Sequence, residues 1–164
     1  YEARAEWLMR TARYRRADAL EVDEEFVDLV AKTGVLDLEA LAGLTEAAIA
    51  WRRGDMDGAA RLARRTEHRW TTLGKTWGAL FARTLLIAAT GATEEWEQLV
   101  EAAMHSPVSG AGIQMLGLLG YACPTRALEL LPAMRTLRTA IPERRWALRM
   151  DILSVEEAMQ YVNR

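Results

Sequence analysis

Apolar residues recur at steps of three and four along most of the chain, which is the spacing of one face of an α-helix. The clearest example runs from Leu38 to Thr90 and predicts three helices, separated by a tight turn and a short loop. The first two helices carry stripes of apolar or small residues, which are Leu38, Leu41, Leu44, Ala48 and Trp51, then Ala59, Leu62, Ala63, Thr66, Trp70 and Leu73. These stripes predict two amphipathic helices that pack against each other.

The turn between these two helices has the sequence Gly54-Asp55-Met56-Asp57-Gly58. A glycine can adopt the left-handed conformation that ends a helix, and Asp55 or Asp57 can cap the next helix by accepting a bond from its free N–H groups. Because the connection is so short, it favours an antiparallel hairpin.

The rest of the chain repeats this plan in a looser form. The segment from Trp77 to Thr90 is apolar on nearly every side, which predicts a helix buried on more than one face. The segment from Ser109 to Gly120 predicts another helix, whose glycines favour close approach of neighbouring backbones. We therefore predict an all-α fold of stacked antiparallel helix hairpins with about seven to nine helices, and no strand.

Local signals predict where several helices begin and end. Pro132 predicts a break near Leu131, and Ser154 with Glu157 matches a capping box for a helix from Val155 to Val162. Two further caps are predicted at Asp37 and Thr93. Three glycines are predicted to end helices, which are Gly54, Gly91 and Gly120.

The hairpin has Gly54-Asp55 at its turn, Ala59 just after it and the small Ala47 in the preceding helix. These residues resemble a tetratricopeptide repeat (TPR), and fainter copies follow Gly91 and Gly120, so that the resemblance covers residues 38–139. The glycines Gly54, Gly91 and Gly120 are 37 and 29 residues apart, which averages near the roughly 34-residue period of such repeats.

Divergent repeats of this kind are similar to the helical sensor regions of bacterial multidomain regulators, such as signal-transduction ATPases, transcriptional activators and kinases. The resemblance implies an α-solenoid whose concave face binds peptides, partner domains or small effectors. The length of 164 residues predicts a single helical-repeat domain over residues 1–164, and we expect it to be the regulatory or sensor part of a longer cytoplasmic protein.

Composition and charge narrow the classes of partner. Hydrophobic residues make up 51% and charged residues 27%, which is typical of a soluble globular domain. The net charge of −2 gives no overall attraction to nucleic acid or to an anionic membrane. The longest apolar-rich run, residues 111–123, is too short to span a bilayer. We expect a protein or peptide partner, and the oligomeric state stays open.

No residue pattern predicts a catalytic, cofactor-binding or metal-binding site. His68 and His105 belong to no His-Glu-x-x-His motif, and Cys123 is the only cysteine. Asp55-x-Asp57-Gly58 resembles the start of a calcium loop but lacks the third acid, so capping is the better interpretation. We therefore predict a fragment that is not an enzyme and holds no cofactor.

Two sets of residues are candidates for contact with a partner. If the helix that starts near Trp77 lines a groove, Arg83 is its charged contact, with Gln114 on a later helix. The second set is an anion or partner surface on the polar face of the helix after the turn, formed by Arg61, Arg64, Arg65 and Arg69.

The leading hypothesis from these patterns is a protein–protein interaction or scaffold module. One alternative is a small-molecule or nucleotide sensor with a pocket between helix pairs. Another is the helical accessory domain of an enzyme.

Overall fold

A computed structural model describes residues 27, 28, 30, 32, 34–107, 109–140 and 155–162 of the 164-residue chain. Every regular element in these residues is helical, so the prediction of an all-α fold is confirmed. The elements are α1 (Leu36–Arg52), α2 (Met56–Thr72), α3 (Thr76–Thr90), α4 (Trp96–Met104), α5 (Ser109–Ala122), a 3-10 helix (Pro124–Leu130), α6 (Leu131–Thr139) and α7 (Val155–Val162).

The first three helices follow a regular step, because they begin at residues 36, 56 and 76. The turns that separate them have the same backbone path. Gly54 and Gly74 have φ values of +80° and +67°, which residues other than glycine rarely adopt. In the first turn the N–H of Asp55 donates to the Ala50 carbonyl at 3.0 Å, and in the second the N–H of Lys75 donates to the Trp70 carbonyl at 2.9 Å. Each turn therefore reverses the chain within three residues.

The capping predictions have mixed outcomes. The Asp55 carboxylate accepts a hydrogen bond from the Gly58 N–H at 2.9 Å, which confirms the predicted cap of α2. The predicted caps at Asp37 and Thr93 are wrong, because α1 begins one residue before Asp37 and α4 begins three residues after Thr93. The Thr93 backbone carbonyl accepts a hydrogen bond from the Trp96 N–H at 3.1 Å instead.

The first half of the described fold consists of α1, α2 and α3, and these helices pack in the order in which they follow along the chain. Helix α2 lies between α1 and α3 and contacts both. Helix α3 then packs on α5, which carries the fold into the second half. One continuous hydrophobic core extends from Ala40 in α1 to Val162 in α7.

Helix α5 is the centre of the second half. All residues from 110 to 120 are buried, and the helix contacts α3, α4, the 3-10 helix, α6 and α7. A Cβ atom at Gly117 would lie 2.8 Å from the Ala158 Cα, so the backbones of α5 and α7 are in close contact. The glycine content of this segment predicted such a close approach. The prediction that Gly120 ends α5 is wrong, because the helix continues to Ala122. Gly120 lies inside the helix against Val162, where a larger side chain has no room.

The predicted break near Leu131 is confirmed, because the 3-10 helix ends at Leu130 and α6 begins at Leu131. The predicted C-terminal helix is also confirmed as α7, while its predicted cap Ser154 lies outside the described residues. Among the helices described, none has both the length and the apolar character that a bilayer crossing requires.

Candidate functional site

Trp77 at the start of α3 belongs to an aromatic cluster. Its ring centroid lies 6.2 Å from that of Trp70 on α2 and 6.4 Å from that of Phe81, which it meets edge-on. Such tilted and edge-on pairs are favourable packing geometries. Because Trp77 is only half-buried, part of its ring is open to solvent beside the α2–α3 turn.

Arg83 on α3 joins three parts of the fold. Its Nε and Nη2 atoms donate to the Glu67 carboxylate on α2, with Nε at 2.8 Å. Its Nη1 atom donates to the carboxylate of Glu95, the residue before α4, at 2.6 Å. The hydrogen bond that Arg83 donates to Glu67 is the main reason that the pKa of the Arg83 guanidinium is raised. The guanidinium is therefore already engaged on both sides within the chain.

Gln114, the third residue of this predicted set, lies in the middle of α5 and is only 1% exposed. The helices around α5 cover it, so it shares no surface with Trp77 and Arg83. The structure therefore does not bring these three side chains together on one groove.

The four arginines of the second set do share a surface. Arg61, Arg64, Arg65 and Arg69 are all exposed on the outer side of α2, and we call this surface the arginine face. Arg65 donates to the Glu46 carboxylate on α1 at 2.5 Å. The other three arginines make no ion pair or hydrogen bond with another side chain in the described part of the chain. The arginine face is thus a concentration of positive charge with one carboxylate partner among the residues that the structure describes.

An open cleft of about 330 Å³ adjoins the arginine face, between α1, α2 and the residues just before α1. We call it the α1–α2 cleft. Its apolar part consists of Val27, Val30 and Ala42, of which Val30 is 1% and Ala42 6% exposed. Its charged walls consist of Glu39, Glu46, Arg65 and Arg69. Because Val30 and Ala42 are almost fully buried, the surface of the cleft is mainly charged, with both signs, and its accessible apolar contact comes from the half-buried Val27.

Sequence reasoning missed the cleft because it assigned a binding role only to its arginines. Glu39 and Glu46 lie seven residues apart, which is two turns of a helix, so their shared face was detectable from spacing. Val27 and Val30 gave no such signal, because their position beside Arg69 depends on how the chain packs.

A second half-buried arginine contrasts with the arginine face. The Arg126 guanidinium lies 3.8 Å from the centre of the Trp96 ring and donates to Glu97 at 2.7 Å and to Glu129 at 3.1 Å. The Glu129 and Glu97 hydrogen bonds raise the pKa of Arg126. Arg126 thus attaches the 3-10 helix to α4, and its charge is balanced within the chain.

Candidates for other chemistry are few in the residues that the structure describes. These residues contain no group of three or more His, Cys, Asp and Glu side chains arranged to hold a metal ion. The Cys123 thiol is half-buried, and its sulfur lies 3.5 Å from the Thr125 hydroxyl oxygen.

No protein-family model matches the chain, no curated protein matches it, and no solved structure matches it. Function is therefore inferred from the geometry and from the sequence pattern.

Proposed function

We propose that the chain is a protein-interaction module that binds a segment of another protein on the outer surface of the α1–α2 hairpin. The observation that carries this proposal is the position of the arginine face beside the α1–α2 cleft. Arginine is enriched in protein interfaces, and this surface places exposed arginines beside the half-buried Val27. The resemblance to a TPR is consistent with such a role.

The shape of the cleft favours a segment of protein over a small molecule. Small-molecule sites enclose most of the surface of the ligand and occupy about 300–1,000 Å³. The α1–α2 cleft is open along the hairpin, and four charged side chains form its walls. A ligand seated there keeps one side in solvent, as a bound peptide does.

The proposal is tested in two steps with the full chain. Proteins retained from a lysate by the immobilised chain are identified by mass spectrometry, and each is then purified and titrated against the chain by calorimetry. We expect at least one of them to bind saturably with one site per chain. The urea-unfolded chain, immobilised in the same way, is the matched control and is expected not to retain that protein.

Two results would contradict the proposal. One is the absence of saturable binding for every purified candidate. The other is a rise in the melting temperature of the chain with a metabolite together with no protein ligand, which would instead support the small-molecule sensor alternative.

A further inference from the structure

We infer that the arginine face and the α1–α2 cleft recognise an acidic segment of the partner that also carries apolar side chains. This inference rests on the proposed function and narrows it to one chemistry of partner.

The charge distribution on α2 supports the acidic character of the partner. The whole chain has a net charge of −2, yet α2 exposes four arginines within residues 61–69, a length of about 12 Å along the helix. Arg61, Arg65 and Arg69 follow one another at intervals of four residues, and like charges at this spacing repel each other and destabilise a helix. Only Arg65 has a carboxylate partner among the described residues. Carboxylates of a bound segment would relieve this repulsion.

The cleft beside the arginines supports the apolar character of the same segment. Val27, Val30 and Ala42 line the same cleft as Arg65 and Arg69. A peptide that pairs its acids with the arginine face can place a neighbouring apolar side chain on Val27, which is the half-buried one of the three residues. Burial of such a side chain adds affinity, whereas the paired charges fix the register.

The acidic residues of the cleft disfavour nucleic acid as the occupant. Glu39 and Glu46 stand in the same walls as Arg65 and Arg69, so a phosphate backbone in the cleft would meet two carboxylates. Proteins that bind duplex DNA through its backbone typically make about six to ten phosphate contacts. The arginine face offers three arginines without an internal ion pair in the described residues.

The test uses the full chain and three fluorescein-labelled probes, with binding followed by fluorescence anisotropy. The first probe is a peptide of glutamate, aspartate and leucine. The second replaces its acids with glutamine and asparagine, and the third is a duplex DNA of matched charge. We expect the acidic peptide to bind about tenfold or more tightly than either other probe, because each exposed ion pair adds up to about a factor of five. Added salt should weaken this binding by screening the charges.

Variants then locate the binding on α2. The triple reversal Arg61→Glu, Arg64→Glu and Arg69→Glu should weaken the acidic peptide about tenfold or more, while lysine at the same three positions retains most of the binding. The matched control is Arg135→Glu, which reverses an exposed arginine on α6 and should leave binding unchanged. Circular dichroism and the melting temperature report whether each variant is folded.

Several outcomes would overturn the inference. These are equal binding of the acidic and neutral peptides, tighter binding of DNA, or an unchanged affinity in a folded triple reversal. A further test neutralises the chain's own acids at residues 18, 21 and 23–25. If the peptide then binds more tightly, these acids compete with it, and the arginine face would instead be assigned to that stretch of this chain. If the purified partner binds the triple reversal normally, this inference fails while the proposed function stands. If no protein binds the wild-type chain, the proposed function fails.

Discussion

The two halves of the described fold use helices in different ways. In the first half, α1, α2 and α3 have 17, 17 and 15 residues and pack one after another along the chain. In the second half, α4 and α6 have nine residues and α7 has eight, and all three pack on α5. The first half is therefore a row of long helices, and the second is a group of short helices around a central one.

This difference decides which helices can recognise a partner. Helix α2 has neighbours on two sides, so its outer side keeps the charged arginine face in solvent. Helix α5 has neighbours on all sides, so even its amide side chain, Gln114, is buried. The packing position of a helix, in addition to its own residues, thus determines whether its polar groups are available for binding.

The largest effect is expected from Gly117→Val in the second half. A Cβ atom at residue 117 would lie 2.7 Å from the Ala158 Cβ and 2.8 Å from the Ala158 carbonyl oxygen, so α7 must move to make room. We expect the free energy of unfolding to fall by about 3 kcal/mol, as in other overpacked cores. Urea denaturation followed by circular dichroism measures the change.

The control for this variant is Glu101→Val, which places the same β-branched side chain on the exposed side of α4. It should cost less than about 1 kcal/mol, because only helix propensity changes. A loss as small as this for Gly117→Val would mean that α5 and α7 do not approach as closely as described.

A smaller effect is expected from alanine at the turns of the first half. Apart from the adjoining backbone, no atom of the described residues lies within 4 Å of the Cβ position at Gly54 or Gly74, so the cost of Gly54→Ala or Gly74→Ala comes from the left-handed backbone alone. We expect each to lower the free energy of unfolding by about 1–2 kcal/mol. Asparagine tolerates this conformation better than alanine, so Gly54→Asn should cost less. Equal losses for alanine and asparagine would contradict the explanation from backbone strain.

Most of the fold could be predicted because its signals are local. The turn at Gly54, the cap at Asp55, the break at Leu131 and the helix at Val155–Val162 each depend on residues within a few positions of one another. Gly120 was misassigned because a glycine that ends a helix and a glycine that admits a neighbouring helix look alike in sequence. Only the contact with Val162 distinguishes them. The resemblance to a TPR stays a prediction.

The candidate site divides in the same way. The arginine face was predicted because four residues on a single helix share a side by spacing alone. The cleft beside it is lined by residues as distant in sequence as Val27 and Arg69, and no local pattern encodes that they share one surface. Gln114 was placed on a surface because its helix was predicted without the neighbours that cover it.

The smallest effect is expected at Arg83, whose two carboxylate partners lie in different halves of the fold. Glu67 belongs to α2 and Glu95 precedes α4. Arg83→Gln should lower the free energy of unfolding by about 1 kcal/mol, because exposed and partly exposed ion pairs contribute up to about that amount. Double-mutant cycles with Glu67→Gln and Glu95→Gln, measured by urea denaturation, separate the two contributions.

The two cycles should give different coupling energies. The Glu67 side chain is 19% exposed and accepts from two Arg83 nitrogens, whereas Glu95 is 44% exposed and accepts from one. We therefore expect the larger coupling with Glu67, and a coupling with Glu95 that high salt removes first, since solvent ions screen the more exposed pair more strongly. The coupling energy of the Arg83–Glu67 pair, within the first half, would then exceed that of the Arg83–Glu95 pair, between the halves. The apolar contact of α3 with α5 would then be the main connection between the two halves. A coupling energy with Glu95 equal to or larger than that with Glu67 would contradict this. It would mean that the Arg83–Glu95 ion pair contributes substantially to holding the two halves together.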